Sequence, residues 1–123
     1  MVEISDEQFE KVVAEGIDAI PARYQKYLQN LAFVVEEEPL PEQLEALKVP
    51  PGQTLLGLHQ GTTRAAQSRN ISGNLPDKIT IFKRPHQLIS HDLDDLRERV
   101  RHTIWHEVAH YYGLDHKMIH DRE

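Results

Sequence analysis

His106-Glu107-Val108-Ala109-His110-Tyr111-Tyr112-Gly113-Leu114-Asp115-His116 reads H-E-x-x-H-x-x-G-x-x-H, the most specific pattern in the 123 residues. Residues four apart on an α-helix point the same way, one turn apart. His106 and His110 can therefore present two imidazole nitrogens to one ion, at roughly 2.0–2.1 Å each for zinc. Glu107 lies about 100° round the helix from His106. It borders the pair without joining it, which suits a general base acting on a water at the metal. In a continued helix His116 would stand about 15 Å up the axis from His106 and on another side. Gly113 resolves this, because glycine ends a helix in the left-handed conformation without a Cβ penalty. The chain can then turn back so that His116 supplies a third nitrogen. Three histidines leave a fourth position open, as in a catalytic zinc centre. Zn²⁺ is thus the expected cofactor, with His106, His110 and His116 as its ligands and Glu107 as the catalytic residue.

Upstream of the motif, a helix is expected over residues 93–112. Asp92 is its N-cap candidate, and acidic residues in its first turn suit the helix dipole. Leu93, Leu96, Val100, Ile104, Val108 and Tyr111 form the stripe that packs on a sheet, and Trp105 and Ala109 widen it. Arg99, His102, His106 and His110 form a second stripe. A helix apolar on most sides is buried, so His106 and His110 are expected in a walled cleft. His102, one turn before His106, is a cleft-lining or solvated histidine. Asp115, beside the third ligand position, can orient a ligand imidazole or replace His116.

Three strands are expected. The run 31–35 (Leu-Ala-Phe-Val-Val) is continuously apolar and reads as a buried strand, followed by Glu36, Glu37 and Glu38 as its solvated end. The second strand covers 54–59, with Gly57 marking a bulge or a close approach and His59 lining the cleft. A free edge on this strand could receive a peptide by β-addition. The third covers 78–83, with Ile79 and Ile81 on one face. Arg84-Pro85 closes it, and 86–91 is expected as a connector. The long connection 61–77 carries Arg64 and Arg69, read as solvated. At the N-terminus, Ser5 and Gln8 form a capping box for a helix over 6–19. Pro21 ends that helix and opens a shorter one carrying Tyr24, Tyr27 and Leu28. A short helix is also expected over 41–47.

Composition excludes several classes. A chain of this length suggests one domain over 1–123. The absence of cysteine fits a reducing, cytoplasmic setting. No apolar run spans a bilayer, and the first residues lack the basic and apolar regions of a signal peptide. A net charge of −6 and a pI near 5.7 argue against a nucleic-acid partner. A monomer acting on a peptide or protein is the expectation.

At these residues the chain resembles the zincin metallopeptidases, within them the metzincins, and more closely a family of small bacterial proteins, the minimal zincins. The likeness to the last covers Phe33-Val34-Val35-Glu36-Glu37, Leu56-Gly57-Leu58-His59-Gln60-Gly61, Pro76-Asp77-Lys78-Ile79-Thr80-Ile81-Phe82 and the motif helix. It implies an α+β fold: a small three-stranded mixed sheet packed on an N-terminal helix and the long motif-bearing helix. It also implies that the strand over 54–59 is the antiparallel edge strand above the cleft. The activity implied is zinc-dependent hydrolysis of peptide bonds. Larger metzincins carry a methionine turn beneath the zinc. Here seven residues follow His116, and Met118 stands too close to form that turn, so weak or restricted activity is expected. His59 stands where the family often has an aromatic residue. The three histidines and Gly113-Leu114-Asp115-His116 also resemble the zinc-dependent endoribonucleases of ribosomal RNA maturation. Those lack the glutamate after the first histidine, so Glu107 favours the peptidase reading. A metal-binding module without catalysis is the third alternative.

Overall fold

Three local signals set the helices that carry the structure. The computed structural model describes residues 1–29, 31–61 and 77–113, the side chains of Tyr27 and Tyr112 excepted. Helix α1 runs Asp6–Asp18. Gln8 N–H donates to Ser5 Oγ at 3.1 Å and Ser5 N–H to Gln8 Oε1 at 2.9 Å, the expected capping box. Ala19 caps its end. The chain from Ala22 to Leu28 then forms a 3₁₀ helix, with Pro21 just before it as cap. Gln25 Nε2 reaches back to the carbonyls of Ile17 at 3.3 Å and Ile20 at 2.7 Å, tying this segment to the end of α1.

The sheet is mixed, in the order β1-β3-β2. Strand β1 (Leu31–Glu36) pairs parallel with β3 (Asp77–Phe82), with Phe33 opposite Ile79 and Val35 opposite Ile81. Strand β2 (Gly57–Gln60) pairs antiparallel with β3, with Gly57 opposite Ile81 and His59 opposite Ile79. The strand buried on both faces is β3: Ile79, Thr80, Ile81 and Phe82 are each at most 1% exposed. The expectation of a fully buried first strand is thus corrected. β1 lies at the sheet edge and its apolar residues are half-buried, because Leu31, Phe33 and Val35 meet the core while only one side has a strand neighbour. Glu36, Glu37 and Glu38 are exposed, as expected. Helix α2 (Pro41–Ala46) starts with proline in its first turn.

A second correction follows β3. Residues Lys83–Ile89 form helix α3 where a connector was expected. Pro85 sits in the first turn, where the missing N–H breaks no bond. Lys83 pairs with Asp6 at 2.7 Å, tying the end of β3 to the start of α1. Helix α4 then runs Leu93–Tyr112. Asp92 Oδ1 accepts from Asp95 N–H at 2.8 Å at one end, and Gly113 takes the left-handed conformation (φ 68°, ψ 29°) at the other.

The core lies between one sheet face, α1 and α4. Phe9, Val12 and Val13 from α1, Ile79 and Ile81 from β3, and Leu96, Val100, Ile104, Trp105 and Val108 from α4 meet there. The ring of Tyr24 packs 4.8 Å from that of Trp105. The expected apolar stripe of α4 is buried except at Leu93, which is 42% exposed at the start of the helix. No helix among the described residues is long and apolar enough to cross a membrane.

Candidate metal centre

The histidine stripe of α4 forms a column of rings. His106 and His110 lie 4.7 Å apart between centroids and nearly perpendicular, at 76°. His102 lies 5.2 Å from His106 at 37°. His106 is half-buried, while His102 and His110 are exposed. Of the pair expected in a walled cleft, His106 is half-buried and His110 is exposed among the described residues. The sheet covers the opposite side of α4, and β2 flanks only part of the column.

Glu107 points towards β2. A hydrogen bond from the backbone N–H of His59 reaches its carboxyl group. Burial pushes this carboxyl's pKa up, against the opposing pull of His110 and of the His59 N–H. The strand register explains the contact. Phe82 N–H donates to Leu56 O at 3.0 Å, so hydrogen-bonded pairs fall at 56 and, by alternation, at 58. The backbone groups of Gly57 and His59 therefore turn to the outer edge, where Glu107 waits. Gly57 permits the approach. A Cβ there would stand 2.8 Å from Thr103 Cγ2 and 3.2 Å from Glu107 Cγ.

The imidazole of His59 packs edge-on against Tyr111, with centroids 4.8 Å apart. Its Nε2 is buried and makes no hydrogen bond among the described residues. Burial lowers its pKa, with Asp77 pulling the other way. His59 therefore borders Glu107 from the strand side.

Beneath Gly57 lies a group that sequence reasoning missed. His86, fully buried, has Nδ1 2.7 Å from the Phe82 carbonyl and Nε2 2.9 Å from Thr103 Oγ1. A carbonyl only accepts, so Nδ1 carries the hydrogen. The Thr103 hydroxyl also lies 2.9 Å from the Arg99 carbonyl. Burial lowers the His86 pKa to about 4, so the ring is neutral at pH 7. The available signal was Pro85, permitted in a first helical turn, which would have put His86 on a helix four residues after Phe82.

The third candidate ligand, His116, and Asp115 lie outside the described residues, as do Arg64 and Arg69. Among the described residues no group of three or more His, Asp or Glu is gathered closely enough to hold a metal. The donor chemistry present nonetheless fits part of a zinc site: two adjacent imidazoles on one helix face, a flanking carboxylate, and a left-handed glycine at the point where the chain must turn.

Residues 28–123 match the profile of the family described as zincin-like metallopeptidase. The match takes in the sheet and α4 and leaves α1 outside it. No curated protein matches the chain.

Proposed function

The chain belongs to the zincin-like metallopeptidase family, and on that premise we propose that it hydrolyses peptide or related amide bonds, with His106, His110 and His116 holding zinc and Glu107 moving the proton. The observation that carries this reading is the position of Glu107. Its carboxyl is half-buried between α4 and the edge of β2, beside the His106–His110 pair and fixed by the His59 N–H. Bound zinc would supply Lewis-acid chemistry, polarising a carbonyl and acidifying a water. Glu107 then takes the proton of the attacking water and returns it to the leaving amine. Its burial suits both halves of that task, since it brings the carboxyl closer to working pH than an exposed glutamate. The outer edge of β2 offers the Gly57 backbone groups and the His59 carbonyl to an extended peptide, which would lie across the histidine column. Gly57, lacking a side chain, keeps that edge close to Glu107.

The test is zinc analysis of the parent and Glu107→Gln, paired with digestion of a peptide library. Stoichiometric zinc in both proteins is expected, with turnover in the variant lower by about 10²–10⁴-fold. Equal cleavage by Glu107→Gln removes Glu107 from the chemistry. RNA cleavage that survives Glu107→Gln but not His110→Ala would transfer the metal site to the ribonuclease reading. Bound zinc with no turnover on either polymer would leave a metal-binding module.

A further inference from the structure

One turn and two turns before His106 the stripe continues through His102 and Arg99, and neither has a part in the reaction proposed above. Both line a cleft of about 300 Å³ shared with Leu56, Glu98 and Thr103. That volume is at the small end of the range for ligand sites. Leu56 is the residue that leads into β2, so the cleft continues directly from the strand edge.

The direction of β2 along α4 follows from three contacts. Leu56 lies with Arg99 and His102, a Cβ on Gly57 would meet Thr103 and Glu107, and His59 meets Glu107 and Tyr111. The strand and the helix therefore run the same way here. A peptide added to the edge pairs best antiparallel, so its C-terminal part runs past Leu56 to Arg99. In a hydrolysis at His106–Glu107 this is the leaving-amine side.

Arg99 is prepared for an anion. Asp95 holds it through Nε alone, at 3.2 and 3.1 Å from the two carboxylate oxygens. Asp95 is itself fixed by the His91 N–H at 2.9 Å. The two terminal nitrogens of the guanidinium make no hydrogen bond among the described residues, and the side chain is 41% exposed. A guanidinium anchored at one corner presents its remaining planar donors to a carboxylate at reduced entropic cost. The cleft's own carboxylate, Glu98, is engaged with Arg101.

We propose that Arg99, with His102, forms a subsite for a carboxylate of the substrate on the leaving-amine side of the scissile bond. This rests on the peptidase reading for its register, but the binding itself does not require turnover. The carboxylate can come from an Asp or Glu side chain or from a free C-terminus.

Three short peptides separate the sources: acetyl-Val-Asp-amide, acetyl-Val-Val with a free C-terminus, and acetyl-Val-Asn-amide. Titrated into ¹⁵N-labelled protein, the carboxylate-bearing peptides should move the amide signals of Leu56, Arg99 and His102, and the neutral peptide should not. Whichever carboxylate peptide binds more tightly identifies the source. Arg99→Gln should weaken that binding about tenfold, as loss of a charge-assisted pair does, and Arg99→Lys should restore only part of it. Unchanged binding in both variants, or no shifts at these positions, overturns the subsite. In the library digest, cut sites should carry the same carboxylate on the leaving-amine side, and Arg99→Gln should erase that preference. If peptides bind in an Arg99-dependent way but none is cut, the subsite stands and the peptidase reading falls.

Discussion

Two histidine environments lie on opposite sides of Thr103, and they differ in how far the fold encloses the rings. His86 is closed. It is fully buried, with one nitrogen on the Phe82 carbonyl and the other on the Thr103 hydroxyl. The His106–His110 pair is open, ring against ring, with His110 exposed. The first arrangement holds structure, because both polar atoms are spent on the chain. The second lies on the side of α4 away from the core, with His106 half-buried and His110 exposed. Thr103 joins the two regions: its hydroxyl meets His86, and its methyl stands under Gly57 beside Glu107.

The strongest way to break the contrast is His86→Ala. Losing the ring leaves a void and takes away the partner of the Thr103 hydroxyl, at a cost of about 3 kcal/mol. The same variant tests a pH effect. The unfolded chain binds a proton at His86 near pH 6.5, whereas the folded chain resists it down to about 4. Stability is therefore fully present above pH 6.5 and is lost as pH falls towards 4, by about 3 kcal/mol. Urea denaturation at pH 7.5 and at 5 should give a steep difference in the parent and a shallower one in His86→Ala. Equal slopes would mean that another group carries the acid sensitivity.

Gly57→Ala probes the open side. The new methyl meets Thr103 Cγ2 and Glu107 Cγ at distances that force one of them to move. A loss of about 2 kcal/mol is expected, read as a lower melting temperature, together with reduced turnover as Glu107 is displaced. A variant as stable and as active as the parent would show that β2 does not press on Glu107. The smallest effect belongs to Thr103→Val, which keeps the shape and removes the hydroxyl. His86 Nε2 then loses its side-chain partner among the described residues, costing about 1 kcal/mol, while zinc content should not change. Loss of zinc in this variant would make the two environments one coupled unit.

Much of this was legible in the sequence where the physics is local. Both ends of α4 rest on residues within four positions of the boundary, Asp92 with Asp95 and Gly113 with His110, and the capping box of α1 is equally short-range. The spacing of His106, Glu107 and His110 needs only helix geometry. What depended on distant partners stayed hidden. The burial of His86 requires Thr103, seventeen residues away. Helix α3 was obscured because Pro85 reads as a stop unless its place in the first turn is known. Apolarity on both faces cannot distinguish a strand between two others from one at the rim, so β1 was expected inside and lies outside. The second strand starts at Gly57 rather than at 54, although Leu56 already accepts the Phe82 N–H.

The rim position of β1 has a consequence for how the chain folds. Among the described residues its one strand partner is β3, and the pairing joins Leu31 to Asp77 and Phe33 to Ile79. Contacts between such distant residues form late, because a long loop must close first. Until then, five consecutive apolar residues with strong β character stand unpaired, the composition that favours self-association between chains. Glu36, Glu37 and Glu38 follow immediately and remain exposed in the finished fold. Like charges stacked at the same place repel a second copy of the strand, so this acidic triplet acts as a gatekeeper that keeps nascent chains apart until β3 arrives.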